Sequence, residues 1–128
     1  MIDASAGPPE IYGYHAHVYY DKSTLPIAEK LRATLAAGFP VELGQFSGEQ
    51  VGPHPIPQFQ VMFKKNAFQT VVPWLMLNRA GLDILVHPLT DDMVDDHTDY
   101  ALWLGAPIKL KIETLQRRGY RPALLPSV

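Results

Sequence analysis

His15 and His17 lie in the alternating segment Tyr14-His15-Ala16-His17-Val18-Tyr19, and a third histidine, His87, ends the apolar run Ile84-Leu85-Val86-His87-Pro88. Successive side chains of an extended chain point to opposite sides, so His15 and His17 share one face. Two imidazoles at i and i+2 on a rigid surface offer neutral nitrogen donors suited to a transition metal. The sequence has no cysteine, so any metal must take nitrogen and oxygen ligands, which excludes zinc fingers and iron–sulfur clusters. His54 stands between Pro53 and Pro55, where a histidine on a stiff loop could anchor a carboxylate or pass a proton. His97 stands among Asp91, Asp92, Asp95, Asp96 and Asp99, whose negative field should favour its protonated form and make it a proton donor or base. Plainer roles exist for each: strand imidazoles bonded to neighbouring Gln or Tyr side chains, a turn residue at 54, a capping or surface residue at 97.

The elements that must position these groups follow from the pattern. Ile11 to Tyr20 reads as a first strand. Ser23 or Thr24 can cap a helix with Pro26 in its first turn; Ala28, Leu31 and Leu35 form its apolar stripe, and Gly38 and Pro40 end it. Val41 to Phe46 is a second strand, residues 47–57 a proline-rich loop, and Gln58 to Lys64 a third strand. Asn66 and Gln69 resemble a capping pair for a helix from Ala67 to Asn78 that Pro73 should kink or delay, with Gly81 closing it. Leu82 to His87 is a fourth strand stopped by Pro88. The order predicts an α+β fold: a ferredoxin-like βαββαβ sandwich whose four-stranded antiparallel sheet, in strand order 4-1-3-2, has helices on one face. Phe59, Val61 and Phe63 then face the helices, leaving Gln58, Gln60 and Met62 beside His15 and His17. The end of the fourth strand lies beside the start of the first, so His87 can approach His15. The three imidazoles could share one ion at ~2.0–2.1 Å and leave positions open for substrate and oxygen or water.

At 128 residues the chain is one domain, its residues 1–10 expected to be mobile and residues 89–128 a C-terminal extension. Residues 108–119 are expected to be a helix, although Ile108-Lys109-Leu110-Lys111-Ile112 also alternates like a strand. A net charge of −2 and no Lys/Arg cluster larger than that at Gln116-Arg117-Arg118 make nucleic acid an unsuitable partner. No signal-peptide pattern and no apolar run of membrane length is present, so a cytoplasmic protein without a membrane partner is expected. The acidic run lacks the Gly and terminal Glu of a calcium loop and reads as a solvated loop with capping aspartates. Trp74, Trp103, Phe59 and Phe63 are assigned to the core, while tyrosines beside the histidines could stack on a ring or donate a hydrogen bond.

Four pieces together resemble the DOPA 4,5-dioxygenase family, the fungal-type extradiol enzymes with bacterial relatives. They are Tyr14-His15-Ala16-His17-Val18-Tyr19-Tyr20, Gly52-Pro53-His54-Pro55 with Phe59-Gln60-Val61, Leu85-Val86-His87-Pro88, and Asp96-His97-Thr98 through Ala101-Leu102-Trp103-Leu104-Gly105. The resemblance implies a non-haem iron(II) centre that opens the ring of a small catechol such as L-DOPA with dioxygen, and it puts weight on all five histidines. The residues themselves leave open an all-histidine centre or one borrowing Glu42, Glu49 or a tail aspartate. The resulting expectation is an aromatic ring-opening dioxygenase with iron(II) on His15, His17 and His87 and acid/base or orienting roles for His54 and His97. Zinc or nickel could substitute in purified protein. The tail around Trp103 is expected to fold over the sheet, and an uncovered sheet face invites a homodimer. The rivals are a dimeric small-molecule-binding or sensing module and a cofactor-free ferredoxin-like monooxygenase.

Overall fold

The computed structural model describes residues 10–117, 122 and 125–128. The expected mobile start therefore lies outside the described residues except for Glu10. The elements run β1 (Tyr14–Tyr19), α1 (Leu25–Gly38), β2 (Glu42–Leu43), β3 (Gln58–Phe63), a 3₁₀ turn (Lys65–Ala67), α2 (Phe68–Asn78), β4 (Ile84–Pro88), α3 (Met93–His97), β5 (Leu102–Leu104) and a second 3₁₀ turn (Ile112–Thr114). The architecture is α+β, with one open antiparallel sheet in the order β2-β3-β1-β4-β5.

The expected four-stranded sheet thus has a fifth strand, which pairs Ile84 with Leu104, Leu85 with Trp103 and Val86 with Leu102. Three residues are too few to carry a readable alternation, so only pairing with β4 defines this strand. Trp103 accordingly lies half-buried in an edge strand, on the face of Leu85, and is not a core residue.

Strand alternation sorts the sheet into two faces. Ala16, Val18, Phe59, Val61, Phe63, Ile84 and Val86 join α1 and α2 in the hydrophobic core. α1 contributes Ala28, Leu31 and Leu35, the i, i+3, i+7 stripe of an amphipathic helix, and Pro26 sits in its first turn where a missing N–H costs nothing. Thr24 is its N-cap residue, but its hydroxyl makes no cap bond and instead contacts Asp21. The Asn66–Gln69 capping pair does not form. A 3₁₀ turn occupies its place and α2 starts at Phe68 without a side-chain cap. Pro73 lies inside α2 on the exposed side, so the carbonyl it leaves unbonded, that of Gln69, belongs to an exposed residue.

Past α2, Ala80 adopts φ 51°, ahead of Gly81 at φ 86°. A Cβ in this left-handed region costs roughly 1–2 kcal/mol. Ala80→Gly relieves that strain but gains unfolded-state entropy, so a net stabilisation of about 0.5–1 kcal/mol is expected. Thermal unfolding should read it as a rise of roughly 2–5 °C; no rise would remove the strain argument.

The second sheet face carries His15, His17 and Tyr19 from β1, Gln58 and Gln60 from β3, and His87 from β4. It is not bare. The His54 loop, α3 and the tail pack over the imidazoles. The tail also departs from the expected helix: residues 108–111 are irregular and only Ile112–Thr114 form a 3₁₀ turn, while Arg118 and Gly119 lie outside the described residues. The extended path is held because the Lys111 N–H donates to the Pro53 carbonyl (2.9 Å) and the Met93 N–H to the Gln116 carbonyl (2.9 Å). These bonds tie the tail to both walls of the histidine cavity. No described helix is long and apolar enough to cross a membrane.

Candidate metal centre

All five histidines converge and all five are buried. The antiparallel register sets His15 directly opposite His87 and puts His17 two residues further along the same face. His17 Nε2 and His87 Nε2 lie 3.0 Å apart. His15 packs edge-on against both, with ring centroids 5.6 Å from His17 and 5.3 Å from His87. His54 arrives from the loop before β3, its ring 4.1 Å from that of His17. His97 arrives from α3, its ring 4.1 Å from that of His87. Two groups bring their ligand atoms within 4.8 Å of one another, His15–His17–His87 and His17–His54–His97, and His17 belongs to both.

His54 precedes the end of β3 that pairs with Tyr19, so strand alternation alone does not bring it to His87. The loop solves this locally. Val51 and His54 exchange backbone hydrogen bonds of 3.2 and 2.9 Å, and Gly52 at φ 53° supplies the left-handed residue that the tight return requires. The chain thereby folds back over the sheet face, and no strand distortion is required.

Four imidazoles are anchored through Nδ1: His17 to Gln58 Oε1 (2.9 Å), His87 to the Pro88 carbonyl (2.8 Å), His97 to the Met93 carbonyl (2.7 Å) and His54 to Tyr19 Oη (2.7 Å). Anchoring one nitrogen fixes ring orientation and leaves the other for a ligand, the arrangement that outer-shell partners give metal-bound histidines. Gln58 and Tyr19 fall on the histidine face by simple alternation, so their proximity is readable from sequence. That each meets a particular Nδ1 is not.

Burial governs the protonation states. His17 and His87 are held well below the ordinary histidine value, first by desolvation and then by neighbouring imidazoles. Burial, helped by His97 and His15, pushes His54 down to about 4. His97 is also lowered by desolvation, although its bond to the Met93 carbonyl opposes the shift. The expectation of a protonated His97 is therefore wrong: losing water outweighs the aspartate field. Burial also raises Asp96 to about 6, so its charge is lost as pH falls through that value. Asp92 caps α3 by accepting from the Asp95 N–H (3.0 Å), and Asp96 accepts from the Thr90 hydroxyl (2.5 Å) and N–H (3.0 Å). The acidic run thus builds and tethers the short helix that presents His97.

Above about pH 6.5 His54 is neutral whether the chain is folded or not. As pH falls toward about 4, the unfolded chain binds a proton that folded His54 refuses, so stability is lost across that window. At ~1.4 kcal/mol per pKa unit, His54 alone accounts for about 3 kcal/mol once pH is below its folded value. Urea unfolding of metal-free protein should show a falling midpoint between about pH 7 and 5. A flat midpoint would contradict neutral buried imidazoles.

Apolar Val51, Pro53, Leu89, Met93 and Leu115 complete a cavity of about 210 Å³. This is below the ~300–1,000 Å³ of drug-sized sites and suits a small guest. Among the acids considered as ligands, Glu42 is exposed-side and bonded to Ser127, and Glu49 is exposed. Neither lines the cavity. Asp96 does, with its oxygens engaged by Thr90. Among the described residues the groups able to hold an ion are all-histidine.

The sequence profile of the Dopa 4,5-dioxygenase family matches residues 14–114, a span holding all five histidines. A Botryotinia fuckeliana protein of 21.2 kDa, itself uncharacterized, is 33% identical over 116 residues, covering 81% of this chain and 63% of that protein. The DOPA 4,5-dioxygenase of Amanita muscaria is 30% identical over 115 residues, covering 83% of this chain and 50% of that enzyme. The chain therefore spans half to somewhat under two-thirds of these relatives' lengths. A crystal structure of a candidate dioxygenase from Nostoc punctiforme superposes with a TM-score of 0.80 at 54% sequence identity, covering 81% of this chain and 90% of that one.

Proposed function

Because the chain belongs to the Dopa 4,5-dioxygenase family, we propose that it is an extradiol ring-cleaving dioxygenase acting on a small catechol such as L-DOPA, with a histidine-held iron(II). The observation that carries this reading is the convergence of five buried imidazoles from separate stretches of chain on one small cavity. For the fold, we read the portion from β1 to β4 as ferredoxin-like, supported by its βαββαβ order and the two helices on one face, with α3 and β5 as additions.

The donor set fits a divalent transition metal. Neutral imidazoles suit iron, zinc, copper or nickel, whereas magnesium and calcium prefer oxygen ligands that neither histidine group contains. His15, His17 and His87 would hold the ion, because paired strands fix their spacing and His17 and His87 have Nδ1 anchored. Iron(II) held by those nitrogens would supply Lewis-acid polarisation of the catechol oxygens and activation of dioxygen.

The protein's own groups do the rest. Val51, Pro53, Leu89, Met93 and Leu115 give a planar ring an apolar seat, and the tail holds Leu115 over it and keeps water out. His97 and His54 stand across from the strand histidines, within reach of a hydroxyl on the seated ring. One of them takes its proton and returns one as the ring opens. Their lowered proton affinity leaves both neutral at physiological pH.

Anaerobic loading with iron(II), followed by L-DOPA and air, should give stoichiometric oxygen uptake and a yellow ring-opened product. Turnover independent of metal would point instead to a monooxygenase. Tight catechol binding without turnover would point to a sensor.

A further inference from the structure

The four Nδ1 anchors are not chemically equivalent. Pro88 and Met93 offer His87 and His97 carbonyl oxygens, which only accept hydrogen bonds. Gln58 offers His17 its amide oxygen. On the His87 and His97 rings the proton sits at Nδ1 and Nε2 keeps its lone pair, and the bare His87 Nε2 can accept from His17 Nε2, 3.0 Å away. His54 differs, because its Nδ1 meets a phenol, which can donate as well as accept. Tyr19 is buried, and among the described residues its hydroxyl has no other hydrogen-bond partner. If His54 donated through Nδ1, the Tyr19 proton would be left buried without an acceptor. If Tyr19 donates, the His54 proton moves to Nε2, the far side of the ring, where a cavity ligand can accept it.

We infer that Tyr19 donates to His54 Nδ1 and fixes the proton of neutral His54 on Nε2, so that His54 is a hydrogen-bond donor to an oxygen anion of the cavity ligand. Tyr19 is the positioning residue in this pair. Its ring stacks on Trp103 with centroids 6.0 Å apart and planes 22° from parallel, and the Val51 backbone bonds hold His54 from the other side. The two cavity-wall histidines are thereby divided: His97 presents a lone pair and is the base, whereas His54 presents an N–H and meets the oxygen that has lost its proton. This division of roles rests on the dioxygenase reading. The tautomer assignment does not.

Long-range proton–nitrogen-15 correlation spectra of the metal-free protein near neutral pH read the tautomers directly, with His54→Ala identifying the His54 signals. The expected result is a protonated Nε2 and bare Nδ1 on His54, with the reverse on His87 and His97. Tyr19→Phe keeps the aromatic ring and removes the hydroxyl. It should move His54 toward Nδ1–H and leave the other rings unchanged. On zinc-loaded protein the same substitution should weaken binding of 4-nitrocatechol about 10-fold at unchanged zinc content, as loss of one oriented donor requires. Wild-type His54 protonated at Nδ1, or a tautomer indifferent to Tyr19→Phe, overturns the inference, and the wild-type spectrum alone decides if the variant does not fold. Since the spectra need neither iron nor turnover, the expected tautomers without oxygen uptake would sink the dioxygenase reading alone.

Discussion

A His17→Ala protein is expected to lose its metal and, with it, all oxygen uptake above background. His17 belongs to both groups of histidines able to hold an ion, so no reassignment within the cluster compensates for its loss. Its Nε2 is 3.0 Å from that of His87, and Gln58 anchors its other nitrogen. Losing an outer-shell partner costs metal sites ~10–100-fold in affinity, so losing this ligand should cost more than ~100-fold. Metal analysis after gel filtration, with the wild type alongside, measures it. Removing the ligand leaves a polar gap and no unpaired charge, so the fold should persist in circular dichroism. Full metal retention in this variant would refute the site. The companion His15→Ala decides between the groups: metal loss there supports His15–His17–His87, while retention with loss in His54→Ala and His97→Ala moves the ion to His17–His54–His97.

The second large effect is expected from His97→Ala and His54→Ala, with the opposite signature. Both should keep their metal, and their turnover should fall by about 10²–10⁴, the range of a lost acid or base. His97 is held at the cavity by a helix that depends on Asp92 as its cap and on Asp96 bonded to Thr90. Asp96→Asn keeps the shape but weakens that tether, and should lower kcat less than His97→Ala does. Steady-state oxygen uptake on protein of verified metal content separates these outcomes. Normal turnover in His97→Ala would remove it from the chemistry.

Much of the centre was legible because it follows from periodicity. The alternation in β1 and the antiparallel neighbour relation of β1 and β4 are enough to bring His15, His17 and His87 together, and the same rule assigns Phe59, Val61 and Phe63 to the helix side. What was not legible depends on local backbone geometry or on competing energies. The return of the His54 loop rests on one left-handed glycine and a two-residue backbone exchange, neither of which periodicity encodes. β5 is too short to announce itself, and the tail took an extended path because two backbone bonds to the cavity walls outweigh its weak helical pattern. The charge state of His97 was misjudged because a row of aspartates is visible in sequence, whereas the burial that overrides it is not.

The hydrogen bonds of His17 to Gln58 and to His87 join residues 41 and 70 positions apart, and the two ends of the cluster, at 15 and 97, bracket most of the chain. Closing such long loops comes late and slowly in folding. A polypeptide emerging from the ribosome therefore cannot bring His15, His17 and His87 together until β4 has been synthesised and paired with β1, so an ion held there would favour chains that have closed the sheet.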